Sequence, residues 1–349
     1  MKIFKKNVLA LSTVLLSILT AGCSSDDTGI DIIDDNSETG VVEGTDLEGN
    51  LEEDRTLDAS KTYNLTGIFS IESGVTLKIP AGTKIIANSD EEATGVYIVV
   101  QKGGNIEING TSAAPVMMSS ASGLAGSWGG LVIAGNAISA EGVGATAEVG
   151  GILYGGTDPA DNSGTIKYLQ ISDAGAQINS ESQYNGLSLY AVGSGTTIEN
   201  IAILNGADDG VEFFGGSVAI ENLYLENNED DAVDWTEGWN GSVTNVYVKH
   251  TIDNFSTAIE ADGTNGNPSI VNFTAVSTAG GTALQFKKQS GATITGLSLS
   301  GYETNIDITE AGRVDLSGIL INGNSAILDA SYDAEASVDI QTFGWVKEI

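Results

Sequence analysis

Carboxylates recur in this chain at a spacing that stacks them. Asp208-Asp209-Gly210-Val211-Glu212-Phe213 is followed 22 residues later by Asp230-Asp231-Ala232-Val233-Asp234-Trp235. If each repeat is one coil of a solenoid, equivalent positions sit about 4.8 Å apart, the ordinary strand spacing. Asp208, Asp209 and Glu212 then lie on Asp230, Asp231 and Asp234, and such a stack repels itself unless a cation, water or a proton relieves it. Three readings of the six carboxylates follow. They can hold a hard cation such as Ca²⁺, which takes about six to eight oxygen ligands. They can contact or cleave a glycan, because paired carboxylates do general acid–base work on glycosidic bonds. Or they form a solvated face and its Asp-rich turns, with no ligand at all.

Other side chains near the motif extend these readings. Phe213 and Trp235 share the parity of Val211 and Val233 and are expected in the core, whereas Phe214, Glu237 and Trp239 are candidates for ligand contact, with Tyr184 and Tyr190 nearby. His250 is the single histidine and lies in no recognisable nucleophile motif. The glycine-rich stretches are read as corners, because no helix follows them to cradle a phosphate.

The elements that must position these residues are short strands. From Leu57 to Ile349, Gly, Asn, Ser and Thr punctuate runs of Val, Ile and Leu, with 45 glycines and four prolines in the chain. Sustained helical periodicity is lacking, so the pattern predicts an all-β fold. Aligned on the acidic motif, further copies start at Tyr184, Ser256, Gly281, Glu303 and Asn324, so that successive copies step by 24, 22, 26, 25, 22 and 21 residues. The fourth position is aliphatic throughout and is expected inward. The fifth is polar in all but the last copy and is expected to meet water. A second repeat places Asn200, Asn222, Asn245 and Asn272 in one column, continued by Gly296. Asn and Gly tolerate the left-handed backbone of a sharp bend, and stacked Asn side chains can pass hydrogen bonds from coil to coil. The fold expected is a single-stranded parallel β-helix, right-handed by the usual crossover rule, with on the order of 12 coils at the strand spacing. The first segment of the body and Phe343-Gly344-Trp345 are expected to cap its open ends.

The N-terminal stretch divides in two. Residues 1–22 read as a signal peptide, with Lys2, Lys5 and Lys6 before an apolar run from Val8 to Leu19. Leu19-Thr20-Ala21-Gly22-Cys23 resembles the lipobox of bacterial lipoproteins, which implies acylation of Cys23, with palmitate-type chains, as the membrane anchor. Cys23 is the only cysteine, so disulfides and thiolate metal sites are excluded once it is acylated. Residues 23–56 are expected to form an extended acidic tether, with twelve acids and no base between 24 and 54. The body then spans 57–349. Formal charge is −33, or −36 for the chain without residues 1–22, which disfavours nucleic acid as a partner and favours cations.

Several phrases are similar to those of a family of Bacteroidota surface lipoproteins: Ile79-Pro80-Ala81-Gly82-Thr83, Asn109-Gly110-Thr111 with Ala114-Pro115, Trp128-Gly129-Gly130-Leu131, and the two acidic copies. The Ser24-Ser25-Asp26-Asp27 run resembles the acidic export signal of such proteins. The resemblance implies a β-helical body, lipid-anchored in the outer membrane and exposed at the cell surface. The phrase order also resembles that of polygalacturonase-type glycoside hydrolases. That resemblance places their catalytic carboxylates on Asp209, Asp230 and Asp231, but puts Ser256-Thr257-Ala258 where they carry Gly-His-Gly, and Gln285 in place of their arginine. The function expected is therefore a binding or adhesion module for polysaccharide, supported by Ca²⁺. A polysaccharide-degrading enzyme is the alternative, and a structural component of an envelope complex is a second.

Overall fold

The computed structural model describes residues 44–88, 93–180, 182–308, 316–333 and 337–347. The signal peptide, Cys23 and the tether up to residue 43 lie outside the described residues. The rest of the proposed tether does not stay extended and free. Asp46–Leu51 and Arg55–Thr56 are strands, the first parallel to Thr62–Ile71. Leu47 and Leu51 are buried while Glu48 faces out to accept the Thr66 hydroxyl at 3.0 Å. The acidic composition masked a half-buried alternation that suits a strand.

Parallel pairing then repeats along the chain as expected of a β-helix. Each central coil contributes one long bent strand and one short strand. The long strands are Gly164–Ser172, Thr197–Leu204, Ala219–Glu226, Ser242–His250, Ser269–Ser277 and Ala292–Ser300. Every one bends at a residue of positive φ: Tyr168 (50°), then Asn200 (59°), Asn222 (61°), Asn245 (57°), Asn272 (55°) and Gly296 (67°). The asparagines form a ladder. Asn222 Nδ2 donates to Asn200 Oδ1 at 3.2 Å, Asn245 to Asn222 at 3.0 Å and Asn272 to Asn245 at 2.9 Å. Asn is used here because it combines tolerance of the left-handed bend with an amide that both donates and accepts. Asn245→Ala is expected to cost about 2–3 kcal/mol, from two ladder bonds and the left-handed penalty. Asn245→Gly keeps the backbone freedom and is expected to cost less. Denaturant unfolding of the two variants checks the order.

The short strands form the face that matters for function. They are Leu131–Ala134, Leu187–Tyr190, Val211–Phe214, Val233–Thr236, Thr257–Ala261, Thr282–Phe286 and Thr304–Asp307. Their register aligns Leu187, Val211, Val233, Ile259, Leu284 and Ile306 inward, all buried. The same register aligns Ser188, Glu212, Asp234, Glu260, Gln285 and Asp307 outward. The last sequence copy departs from the series: Asn324–Ser325 folds back antiparallel on Ile319–Ile321.

Two segments leave the helix and do not add coils to it. Residues 135–163 make an excursion that carries a small antiparallel pair, Ala145–Thr146 with Leu153–Tyr154. Its Val149, Ile152 and Tyr154 pack with outward Val132, Tyr190 and Phe214 into a second apolar cluster on the outside of the short-strand face. The C-terminal segment is not a cap. Phe343 and Trp345 lie against outward Ala202, Leu204 and Tyr224, with Trp345 edge-on to Tyr168 at 5.4 Å. Gln170 and Lys347 exchange bonds of 3.0 and 2.9 Å, and Val338 N donates to Thr274 Oγ1 at 3.2 Å. The segment is thus a strap along the flank, drawn there by outward apolar side chains that would otherwise face water. Among the described residues no helix is long and apolar enough to cross a membrane.

Candidate functional site

Stacking places the two acidic copies as the spacing predicts. Asp231 N donates to Asp209 Oδ1 at 2.9 Å, and Gly210 N to Asp231 O at 2.9 Å, tying one corner to the next. Thr257 Oγ1 donates to Asp231 Oδ1 at 2.5 Å. Asp209 and Asp231 are buried, so both work at least in part as corner fasteners, and Asp230 is the exposed member of its pair. Next to them Glu212 and Asp234 are register partners on adjacent strands.

The outward parity of this ladder does not bring all of it to water. The excursion and the loop before Leu187 cover it, so Ser188 is buried and Asp234 is only 9% exposed. Glu212 accepts from Asn185 Nδ2 at 2.7 Å, and Lys287 ion-pairs with Glu260 one strand further on. Asp234 Oδ1 is buried without a hydrogen-bond partner. One oxygen from each of Asp209, Glu212 and Asp234 lies within 4.8 Å of the others, and Asp208, Asp209 and Asp230 form a second such trio sharing Asp209.

Burial and mutual repulsion act together on these acids. Burial, reinforced by Asp234, holds Asp209 and Glu212 well above the usual carboxylate range, and burial beside Asp231 does the same to Asp234. Burial and the neighbouring Asp230 push Asp208 up to about 8 and Asp231 to about 7. Lys287 partly opposes the rise at Asp231 and Asp234.

Two cavities open over the stack. A smaller one of about 260 Å³ is lined by Asp208, Asp209, Asp230 and Asp231, and a larger one of about 510 Å³ by Tyr154, Tyr190, Phe214 and Glu237. Glu148, Glu212, Asp234 and Glu260 line both. Of the proposed ligand-contact residues, Glu237 belongs to the larger cavity, where it accepts from Tyr154 OH at 2.7 Å and from Ser139 Oγ. Phe214 forms its wall, stacked on Tyr190 at 3.9 Å. Trp239 does not belong there and must be reassigned to the core. Positive φ at Glu237 (53°) and Gly238 (74°) turns the chain after Thr236 and breaks the strand parity. Trp239 is thereby fully buried, stacked on Phe213 at 3.9 Å, with Nε1 donating to Val218 O at 3.1 Å. His250 is also structural, buried between Phe255 at 3.8 Å and Tyr302, whose hydroxyl is 3.0 Å from Nδ1.

Sequence reasoning missed Glu148 and Tyr154, which sit on the aperiodic excursion and carry no positional signal. It also passed over Glu260, although the fifth position of the next repeat already put it on the ladder. Gln285, which stands in place of the hydrolase-like arginine, donates to Asp307 at 3.1 Å, and Lys287 two residues on pairs with Glu260.

The profile of the pectate-lyase-like beta helix domain matches residues 49–344. Among solved structures, endo-xylogalacturonan hydrolase from Aspergillus tubingensis is 14% identical over 82% of this chain and 92% of its own, with a TM-score of 0.27. The Dettilon tailspike protein is 12% identical over 72% of this chain and 62% of its own, with a TM-score of 0.24. A search of the curated proteins matches none.

Proposed function

The chain belongs to the pectate-lyase-like β-helix domain family, and from that premise we propose that it is a glycan-binding module whose acidic stack is completed by a divalent cation. The observation that carries this reading is the buried trio Asp209, Glu212 and Asp234, with one buried Asp234 oxygen left without a partner. Burying like charges without compensation is costly, and a hard cation is the ligand that all-oxygen carboxylate donors select. Asp209, Glu212 and Asp234 would hold the ion, and Asp208 and Asp230 would add a second, more exposed set of oxygens. The cation would supply the positive charge that fixes the stack and a Lewis-acidic contact for sugar oxygens. The larger cavity, with Phe214 and Tyr190 in its wall, is the place for the sugar. In this reading the body is displayed at the surface of the outer membrane by an acylated Cys23, as in the Bacteroidota lipoproteins its phrases resemble.

Calorimetric titration of the whole exported chain with Ca²⁺ tests the cation. Saturable binding that Asp234→Ala removes supports the reading, and the absence of heat at millimolar Ca²⁺ overturns it. A second reading, glycoside hydrolysis, is favoured by one observation: exposed Asp230 beside buried Asp231 and partly buried Asp208 around one cavity, two of them with protons to exchange near neutral pH. Turnover of a polysaccharide panel that Asp230→Ala abolishes would establish that reading in place of simple binding.

A further inference from the structure

The larger cavity has a charge and an aromatic wall that together specify more than a generic sugar. Seven of its lining side chains are carboxylates and, among the described residues, none is basic. Two of the seven, Glu260 and Asp262, are already paired with Lys287 and Lys288. The remaining five converge on a space of about 510 Å³. A polyuronate, whose every residue carries a carboxylate, meets carboxyl groups and no free basic partner on this lining.

One buried polar atom on this cavity points to a ligand besides the cation. Tyr190 is 1% exposed, lines the cavity, and its hydroxyl has no hydrogen-bond partner. A buried hydroxyl left without a partner is costly, so a ligand group that reaches it gains more than one that meets groups already satisfied. The aromatic wall is electron-rich: Tyr190 stacks on Phe214 at 3.9 Å and its ring lies 5.0 Å from that of Tyr154. Ring faces and carboxylates side by side are what an organic ammonium group seeks, as a cation over an aromatic face and as a donor of three N–H bonds.

We propose that this cavity binds a protonated primary amine carried on a saccharide, an amino sugar with a free amino group, through Tyr190, Glu237 and the ring of Phe214, beside the cation stack. The inference rests on the reading of this face as a glycan site and narrows its ligand class to cationic sugars. The same ammonium chemistry is offered by linear polyamines, so the test separates the two sources.

The experiment is calorimetry of the whole exported chain at pH 6, where the amine is charged, with four probes: a glucosamine hexamer, its fully N-acetylated counterpart, an oligogalacturonate of the same length, and spermidine. The expected result is binding of the glucosamine hexamer at least tenfold tighter than of the acetylated hexamer, with no binding of the oligogalacturonate. Tyr190→Phe, which removes only the unpartnered hydroxyl, and Glu237→Gln should each weaken that binding about tenfold, with an unchanged circular dichroism spectrum. Spermidine binding as tight as the hexamer, with the same loss in Tyr190→Phe, also supports the ammonium site and assigns it to polyamines. Acetylated or uronate oligomers binding as well as the free amine would overturn the inference and leave the glycan-binding reading standing. Silence of all four probes while Ca²⁺ still binds would sink both the amine site and the glycan part of that reading, but not the cation.

Discussion

Asp234→Asn is expected to make the cation-free protein more stable at pH 8 while reducing Ca²⁺ affinity at least a hundredfold. The two effects have one cause. Asp234 is buried beside Asp231, with Glu212 and Asp209 within reach, and burial holds its carboxyl well above the ordinary range. A carboxyl whose folded pKa is raised contributes no penalty below its unfolded value of about 4, and its stability contribution is lost as pH rises through the folded value. Asp231 at about 7 and Asp208 at about 8 set the window for the cluster. Thermal stability of the cation-free chain should therefore fall between pH 5 and pH 8. Asn removes one ionisation and should flatten that fall, giving a gain on the order of 1–3 kcal/mol at pH 8, the usual scale for relieving an uncompensated buried charge. With Ca²⁺ present the order reverses, because the wild-type stack gains the ion and the variant does not. Protons and Ca²⁺ compete for the same oxygens, so binding should weaken from pH 8 to pH 5 and release protons on the way. Melting curves at three pH values, with and without Ca²⁺, read all of this. A wild-type curve as flat as that of the variant would remove the buried-charge argument.

Trp239→Ala is expected to have the largest effect on stability, about 3–5 kcal/mol, the range for emptying a core of an aromatic ring. Trp239 fills the inside of the coil against Phe213 at 3.9 Å and Trp235 at 5.8 Å. Its indole N–H satisfies Val218 O, so the substitution also orphans a buried carbonyl. A sugar-stacking tryptophan would behave oppositely, with ligand affinity lost and the denaturation midpoint kept. Urea titration of Trp239→Ala separates the two, and an unchanged midpoint would return this residue to the ligand surface.

Much of the architecture is legible in the residues because a parallel β-helix relates positions one period apart. Spacing alone set Glu212 on Asp234, put Val211, Val233, Phe213 and Trp235 inward, and lined up Asn200, Asn222, Asn245 and Asn272 as a bonded column. Each of these depends only on strand alternation and on the distance between coils, both local properties of the backbone. The acidic stretch from Asp46 was misread for the reason given by Leu47 and Leu51: composition outweighed a short alternation. The seventh repeat failed because Asn324 keeps the pattern while the chain reverses direction at positive-φ Asn322 and Gly323.

By itself the sequence determined the period, the register, the inward and outward sets, and hence the column of carboxylates. The tertiary structure decided which of those carboxylates meet water. That outcome depends on residues 135–163 and on the loop before Leu187, and the first of these goes where outward apolar side chains need cover. Burial by the first of them turned a row of acids into a cavity with Glu148 and Tyr154 in its wall, because desolvation and the closeness of like charges are properties of the assembled surface and of no single strand.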